Sequence, residues 1–218
     1  METMIKKYQQ KFKKAKDEMS KWDDLQSRLI SHFRNASSII SRLQIIQNSK
    51  NYASLNCVGG MEAAVMQKQM DSLQTILLSM KNTMEDFRGV VLSLEKLQHD
   101  GKQLAKGSSN QMNKKQLQHR IGVKPTLTNC IDGLVLLHEI YHDEYLLKSS
   151  LVSALSALTL KPNPVRCKGT MPKHLGDKVG MVNSGDLGAL HQLLVDQPNI
   201  LNEEVQYIFD IVFAEEIC

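Results

Sequence analysis

The chain has 218 residues, of which 42 % are apolar, 23 % charged and only 5 % aromatic. That length is enough for one hydrophobic core or a core with an extension, and a formal net charge of +4 is too mild to imply nucleic-acid binding by itself. Few aromatics, five prolines and an abundance of Leu, Met, Lys and Gln favour helix over sheet.

Residues 1–58 contain neither Gly nor Pro. Apolar side chains recur at Ile5, Tyr8, Phe12, Ala15, Met19, Trp22, Leu29, Phe33, Ala36, Ile40 and Leu43, with Gln26 in one heptad seat. Steps of three and four predict a long helix with one apolar seam, ending near Asn48. Ser49 to Gly60 reads as a turn. A second helix follows, in which Met66, Met70, Leu73, Leu77, Met80, Met84, Phe87, Val91 and Leu94 alternate strictly. Gly89 is the weak helix former inside it. The short connection predicts an antiparallel, coiled-coil-like hairpin over residues 1–100.

Residues 101–125 change character. Lys102, Lys106, Lys114, Lys115, Arg120 and Lys124 occur there without an acidic residue, around Gly107-Ser108-Ser109-Asn110. This reads as a basic flexible linker. A third helix is expected after Pro125, with Thr126 or Thr128 as its cap, running to about Leu158. Its apolar residues cover a wide arc, which suits a central position in a bundle. Residues 161–182 carry three prolines and read as a loop. Two short helices should follow, Ser184 to Asp196 and Asn202 to Glu216, divided by Pro198 and with Asn202 capping the second. Residues 126–218 are therefore expected to pack on the hairpin as a C-terminal helical segment. The fold class is all-α.

Chemistry-bearing motifs are few. His138-Glu139-Ile140-Tyr141-His142 matches H-E-x-x-H on the third expected helix, where two histidines four apart share a face and Glu139 would activate water. A catalytic zinc needs a third protein ligand. Tyr145 occupies the glycine position of the extended pattern, and His174, Asp177 and His191 have no supporting spacing. His138, Glu139 and His142 are therefore rejected as a metal site, no catalytic residue is assigned, and no cofactor is expected. Cys57, Cys130, Cys167 and Cys218 form no CxxC pair and read as reduced thiols of a cytosolic or nuclear protein. The opening METMIKKYQQKFKKAK lacks the apolar core of a secretory signal. Leu151 to Leu160 falls well short of the ~20 residues of a membrane span.

Two surface features remain. Lys6, Lys7, Lys11, Lys13 and Lys14 make the first helix basic and amphipathic; with Lys114, Lys115 and Arg120 they form a candidate patch for RNA, anionic lipid or an acidic protein surface. The Met-rich seam offers an adaptable binding face, although heptad-spaced Met more commonly forms a hairpin's own core. Candidate partner-binding residues are Phe12, Met19, Trp22, Met70, Leu77, Met84, Tyr141 and Tyr145.

The order of short motifs carries a resemblance. Trp22 lies on a long helix. Tyr141, Tyr145, Leu146 and Lys148 form a Tyr-x3-Tyr-Leu-x-Lys stretch. Gly185-Asp186-Leu187 follows, and then an acidic C-terminal helix with Asp210, Glu215 and Glu216. This arrangement resembles the AIRIM family of small helical ribosome-maturation factors, also described as casein kinase substrate-like proteins, in its plant-type form. Residues 161–182 look inserted relative to that pattern. The resemblance implies a non-enzymatic subunit of the nucleus and cytoplasm. It would pair with a helical protein similar to the cyclin-dependent kinase-interacting protein CINP and serve SPATA-type AAA ATPases in pre-60S maturation and protein remodelling. A coiled-coil scaffold on RNA or membrane, and remotely a zinc hydrolase, are the alternatives from the residues alone.

Overall fold

The computed structural model describes residues 2–46, 60–107, 118, 125–159 and 184–214. They form five helices: α1 (Glu2–Ile46), α2 (Met61–Gly107), α3 (Leu127–Thr159), α4 (Ser184–Asp196) and α5 (Asn202–Val212). The fold is all-α, as the spacing predicts, and no strand occurs among the described residues.

Local chemistry sets the helix ends. Gly60 has φ of 83°, a left-handed conformation that glycine adopts without a Cβ clash, and its carbonyl accepts the Ala64 N–H at 3.0 Å to open α2. Thr126 and Asn129 cap α3 reciprocally. Thr126 Oγ1 accepts the Asn129 N–H at 3.0 Å, and Asn129 Oδ1 accepts the Thr126 N–H at 3.1 Å and also contacts the Thr126 hydroxyl. Of the two threonines, Thr126 is thus the cap.

α5 departs from expectation at both ends. Leu201, not Asn202, is the N-cap, and it makes no side-chain capping bond. Glu203 and Glu204 stand in the first turn, where negative charge meets the positive end of the helix dipole. The helix stops at Val212: the Phe213 N–H still donates to the Phe209 carbonyl at 2.9 Å, but its backbone, at φ −107° and ψ 20°, has left the helical range. Glu215 and Glu216 lie outside the described residues.

α2 runs beyond position 101, where the sequence reading places the start of the basic linker, and ends at Gly107. Gly101 is buried, and the Tyr8 hydroxyl donates to its carbonyl at 2.7 Å. A Cβ at this position would stand 2.9 Å from Leu134 Cδ1 and 3.4 Å from Tyr8 Cε1. The glycine allows close packing and does not break the helix. Positions 108–117 and 119–124, with Lys114, Lys115 and Arg120, and the expected loop 161–182 lie outside the described residues.

The chain divides into two units. The first combines Met1–Arg28, Thr83–Lys148 and Gln197–Cys218. Its contacts give the helix directions. Tyr8 meets Gly101, Lys11 meets Asp100, Trp22 meets Phe87 and Arg28 meets Asp86, so α1 and α2 are antiparallel. Trp22 meets Tyr141 and Gln26 meets Lys148, so α3 runs parallel to α1. α5 packs on the early turns of α1: the Phe209 ring stands edge-on to Phe12, with centroids 5.8 Å apart, and Gln9 Nε2 donates to the Val212 carbonyl at 3.2 Å. Three helices converge at Gly133, where a Cβ would come within 2.9 Å of Ile208 Cγ2 and 3.1 Å of Phe12 Cζ. Nearby, the buried Cys130 thiol is pushed up to about 12 by desolvation.

The second unit combines Leu29–Asn82 and Ser149–Asp196. Its core draws on Leu29, Phe33, Ala36 and Ile40 of α1, Leu73 and Met80 of α2, Leu155 of α3 and Leu194 of α4, all buried.

Two mid-helix glycines give opposite predictions. A Cβ at Gly89 meets nothing within 4 Å, so Gly89→Ala should stabilise the protein by up to about 1 kcal/mol through helix propensity. Gly133→Val forces apart Phe12 and Ile208 and should destabilise by about 1–3 kcal/mol. Urea unfolding of both variants beside the parent checks the pair.

Candidate functional site

Gln26 interrupts the apolar seam of α1, and the structure supplies its partner. Lys148 Nζ donates to Gln26 Oε1 at 2.7 Å and lies 3.0 Å from Glu144 Oε1, one turn back on α3. Both charged side chains are fully buried, at 0 % exposure. Glu144 Oε2 accepts two bonds from Asn199, the backbone N–H at 3.2 Å and the side-chain Nδ2 at 3.1 Å. Trp22 and Phe87 line the cluster, each ring centroid 5.8 Å from the Lys148 ammonium. Trp22 stands edge-on to Phe87 at 4.4 Å and to Tyr141 at 4.9 Å, and its Nε1 donates to Gln197 Oε1 at 2.9 Å. Gln197 holds φ of 46°, and its carbonyl accepts the Ile200 N–H at 2.9 Å, closing the turn that delivers Asn199 to Glu144.

This cluster unites α1, α2, α3 and the α4–α5 turn around one ammonium. Burial pulls the Lys148 pKa below the ordinary lysine value, and the adjacent Glu144 carboxylate acts in the opposite direction. Dehydrating both ions is costly, so the arrangement holds only because hydrogen bonds and ring faces surround them. Trp22, Tyr141 and Lys148, three residues of the motif order read from the sequence, meet here. Gln26, Glu144, Gln197 and Asn199 are missing from the sequence-derived candidates. Their signal was the polar Gln26 in an apolar seat, and an i,i+4 Glu–Lys pair inside the wide apolar arc of α3.

The candidate partner residues separate by burial. Phe12, Trp22, Met84 and Tyr141 are buried, so their side chains face the chain's own helices. Met19, Leu77 and Tyr145 are half-buried. Met70 is 38 % exposed, and Leu78, beside Leu77, is 60 % exposed. The α2 seam is thus internal at Leu73, Met80, Met84 and Phe87, and partly open at Met66, Met70 and Leu77.

The N-terminal lysines divide likewise. Lys6, Lys7, Lys13 and Lys14 are exposed. Lys11 turns to Asp100 at 3.5 Å, and Lys13 lies 5.8 Å from the Phe213 ring centroid.

His138 and His142 stack at 5.6 Å with Glu139 exposed beside them, and among the described residues no third His, Cys, Asp or Glu joins them as a metal-ligand group. Burial, with the neighbouring His142, lowers the His138 pKa, as expected of an imidazole packed neutral on a helix flank. His191 belongs to the second unit, against Phe33 at 5.6 Å. No helix among the described residues is long and apolar enough to cross a membrane.

The sequence matches the family described as ribosome biogenesis protein C1orf109-like over residues 2–217. The chain belongs to this family. It is thus a ribosome biogenesis protein by family, and the match spans all five helices and the cluster around Lys148. No individual curated protein matches it.

Lys148→Met leaves the Glu144 carboxylate buried without its cation and should cost about 3–5 kcal/mol. Adding Glu144→Leu removes the stranded charge, and the double variant should recover a large part of the loss, less the cost of the hydrogen bonds lost by Gln26 Oε1 and Asn199. Urea unfolding of the two single variants and the double variant measures this cycle.

Proposed function

We propose that the chain is a non-enzymatic adaptor in pre-60S ribosome maturation. It would hold a helical partner protein and bring client proteins to an AAA ATPase. The carrying observation is the family match across residues 2–217. The distribution of apolar surface supports the reading. Trp22, Tyr8, Phe12, Phe33 and Phe87 are buried inside the chain, while α2 leaves Met70, Leu77 and Leu78 at least partly accessible. Methionine and leucine at helical spacing suit a helix laid alongside, because flexible side chains re-pack against a new neighbour. The mechanism is steric and associative: a mated helix pair presents clients, and the motor does the mechanical work.

The exposed lysines of α1 favour a second contact. Lys6, Lys7 and Lys14 offer a positive face that suits the phosphate-rich surface of a ribosomal particle. Nucleus and cytoplasm are the compartments that go with this role.

Affinity purification from cells with mass spectrometry tests the adaptor reading. A small helical protein and an AAA ATPase should co-purify with the parent chain. Met70→Glu combined with Leu78→Glu should remove the helical partner without lowering the melting temperature, because both positions are exposed. Retention of the partner by this variant, or purification of the parent without any ATPase, would overturn the reading.

A further inference from the structure

The second unit contains a groove that the adaptor reading does not use. Arg34, Ser37, Ser38 and Ser41 lie at i, i+3, i+4 and i+7 on α1, so they form a single stripe about 10 Å long. Leu187, Gly188 and His191 of α4 face them across a cavity of about 350 Å³. A Cβ at Gly188 would meet nothing within 4 Å, so the α4 wall is open there.

The polar groups in this groove are under-used. The Ser37 hydroxyl oxygen is buried and has no hydrogen-bond partner. A buried hydroxyl without a partner costs stability unless something else satisfies it. Arg34 is exposed, and Nε donates to His191 Nε2 at a long 3.4 Å. Among the described residues its guanidinium has no carboxylate within ion-pair distance. The His191 ring is held against Phe33. Two turns beyond Arg34, Arg42 Nε donates only to the Ser38 carbonyl, at 3.3 Å. Residues 29–46 of α1 carry two arginines, one histidine and four serines but no Asp or Glu. Arg34 makes the α1 wall of the groove cationic, and every side-chain polar group lining it is a donor or can become one.

We infer that this groove binds a phosphoryl group carried on a side chain of a partner polypeptide. A guanidinium supplies paired donors for phosphate oxygens, and serine hydroxyls and an imidazole complete the shell. A stripe of two helical turns matches one or two anionic groups, whereas RNA binding draws its strength from several phosphates along a cationic track. Leu187 gives the wall an apolar element that suits the rest of a peptide. The inference relies on the adaptor reading only for the source of the anion; the experiment below is blind to ATPase association, so each can fail separately.

The test is two-dimensional amide NMR on the full chain, titrated with inorganic phosphate, a capped phosphoserine peptide, its unphosphorylated twin and a short oligouridylate. Phosphate and the phosphopeptide should both move resonances at residues 34–41 and 187–191 saturably, the phosphopeptide more tightly, and the unmodified twin should not. Arg34→Ala should weaken phosphopeptide binding by roughly tenfold or more with its melting curve unchanged, and Arg34→Lys should retain part of the affinity. Ser37→Ala should weaken it to a smaller extent. Three results would overturn the inference: no saturable shift with the phosphopeptide, equal affinity in Arg34→Ala, or movement of these resonances by the oligonucleotide alone.

Discussion

The ion pair between Glu144 and Lys148 constrains the first unit more tightly than any apolar contact. An apolar seam tolerates small slips in register, because one methyl group replaces another at modest cost. A fully buried ammonium does not. It requires Gln26 on α1 at 2.7 Å, the carboxylate one turn back at 3.0 Å and aromatic faces from α1 and α2. The carboxylate in turn requires the Asn199 amide. A displacement of α1 along α3 by one turn would leave the two ions facing each other on α3 but strip the buried ammonium of the Gln26 oxygen and the Trp22 face. The cluster therefore fixes how α1, α2, α3 and the 197–199 turn come together, and the seams fill in around it.

This gives the motif order read from the sequence a physical meaning. Trp22 and Lys148 are separated by most of the chain, yet the indole ring lies against the ammonium and donates from its edge to the turn that holds Glu144 in place. These residues therefore support the scaffold. What the scaffold presents outward has a different chemistry. α2 offers Met70 and Leu78, α1 offers lysines near its start, and the serine stripe of α1 offers donors without an anion. The cluster residues thus look inward, and the helical surfaces left exposed differ in chemistry from one another.

Much of the fold was legible in the sequence because apolar spacing and Gly/Pro punctuation report local geometry directly. The start of α2 after Gly60, the Thr126 cap and the limits of α4 follow from those signals. The misplaced features have tertiary causes. By composition Gly101 opens a linker, but the Tyr8 hydroxyl and Leu134 make it a packing site within α2. Asn202 is a good cap by type, yet the turn through Gln197 places Leu201 at that position. The central cluster was visible and unreadable at once. An i,i+4 Glu–Lys pair ordinarily sits in water on a helix surface, and Gln26 is a polar residue in one heptad seat. Only the positions of Trp22, Phe87 and Asn199 bury that pair and give Gln26 its role. Phe12, Trp22, Met84 and Tyr141, candidates by type and spacing, are buried in the chain's own core.

The Asn199 amide reports on this account most directly. It lies outside any helix, in a turn between α4 and α5, and its hydrogen-bond acceptor is the buried Glu144 carboxylate. Native-state hydrogen exchange at that single amide should be slow, close to the rates of the central amides of α3, because its opening requires the cluster to open. Exchange at the rate of an exposed turn, with α3 still protected, would show that the turn moves independently of the ion pair and would contradict the account.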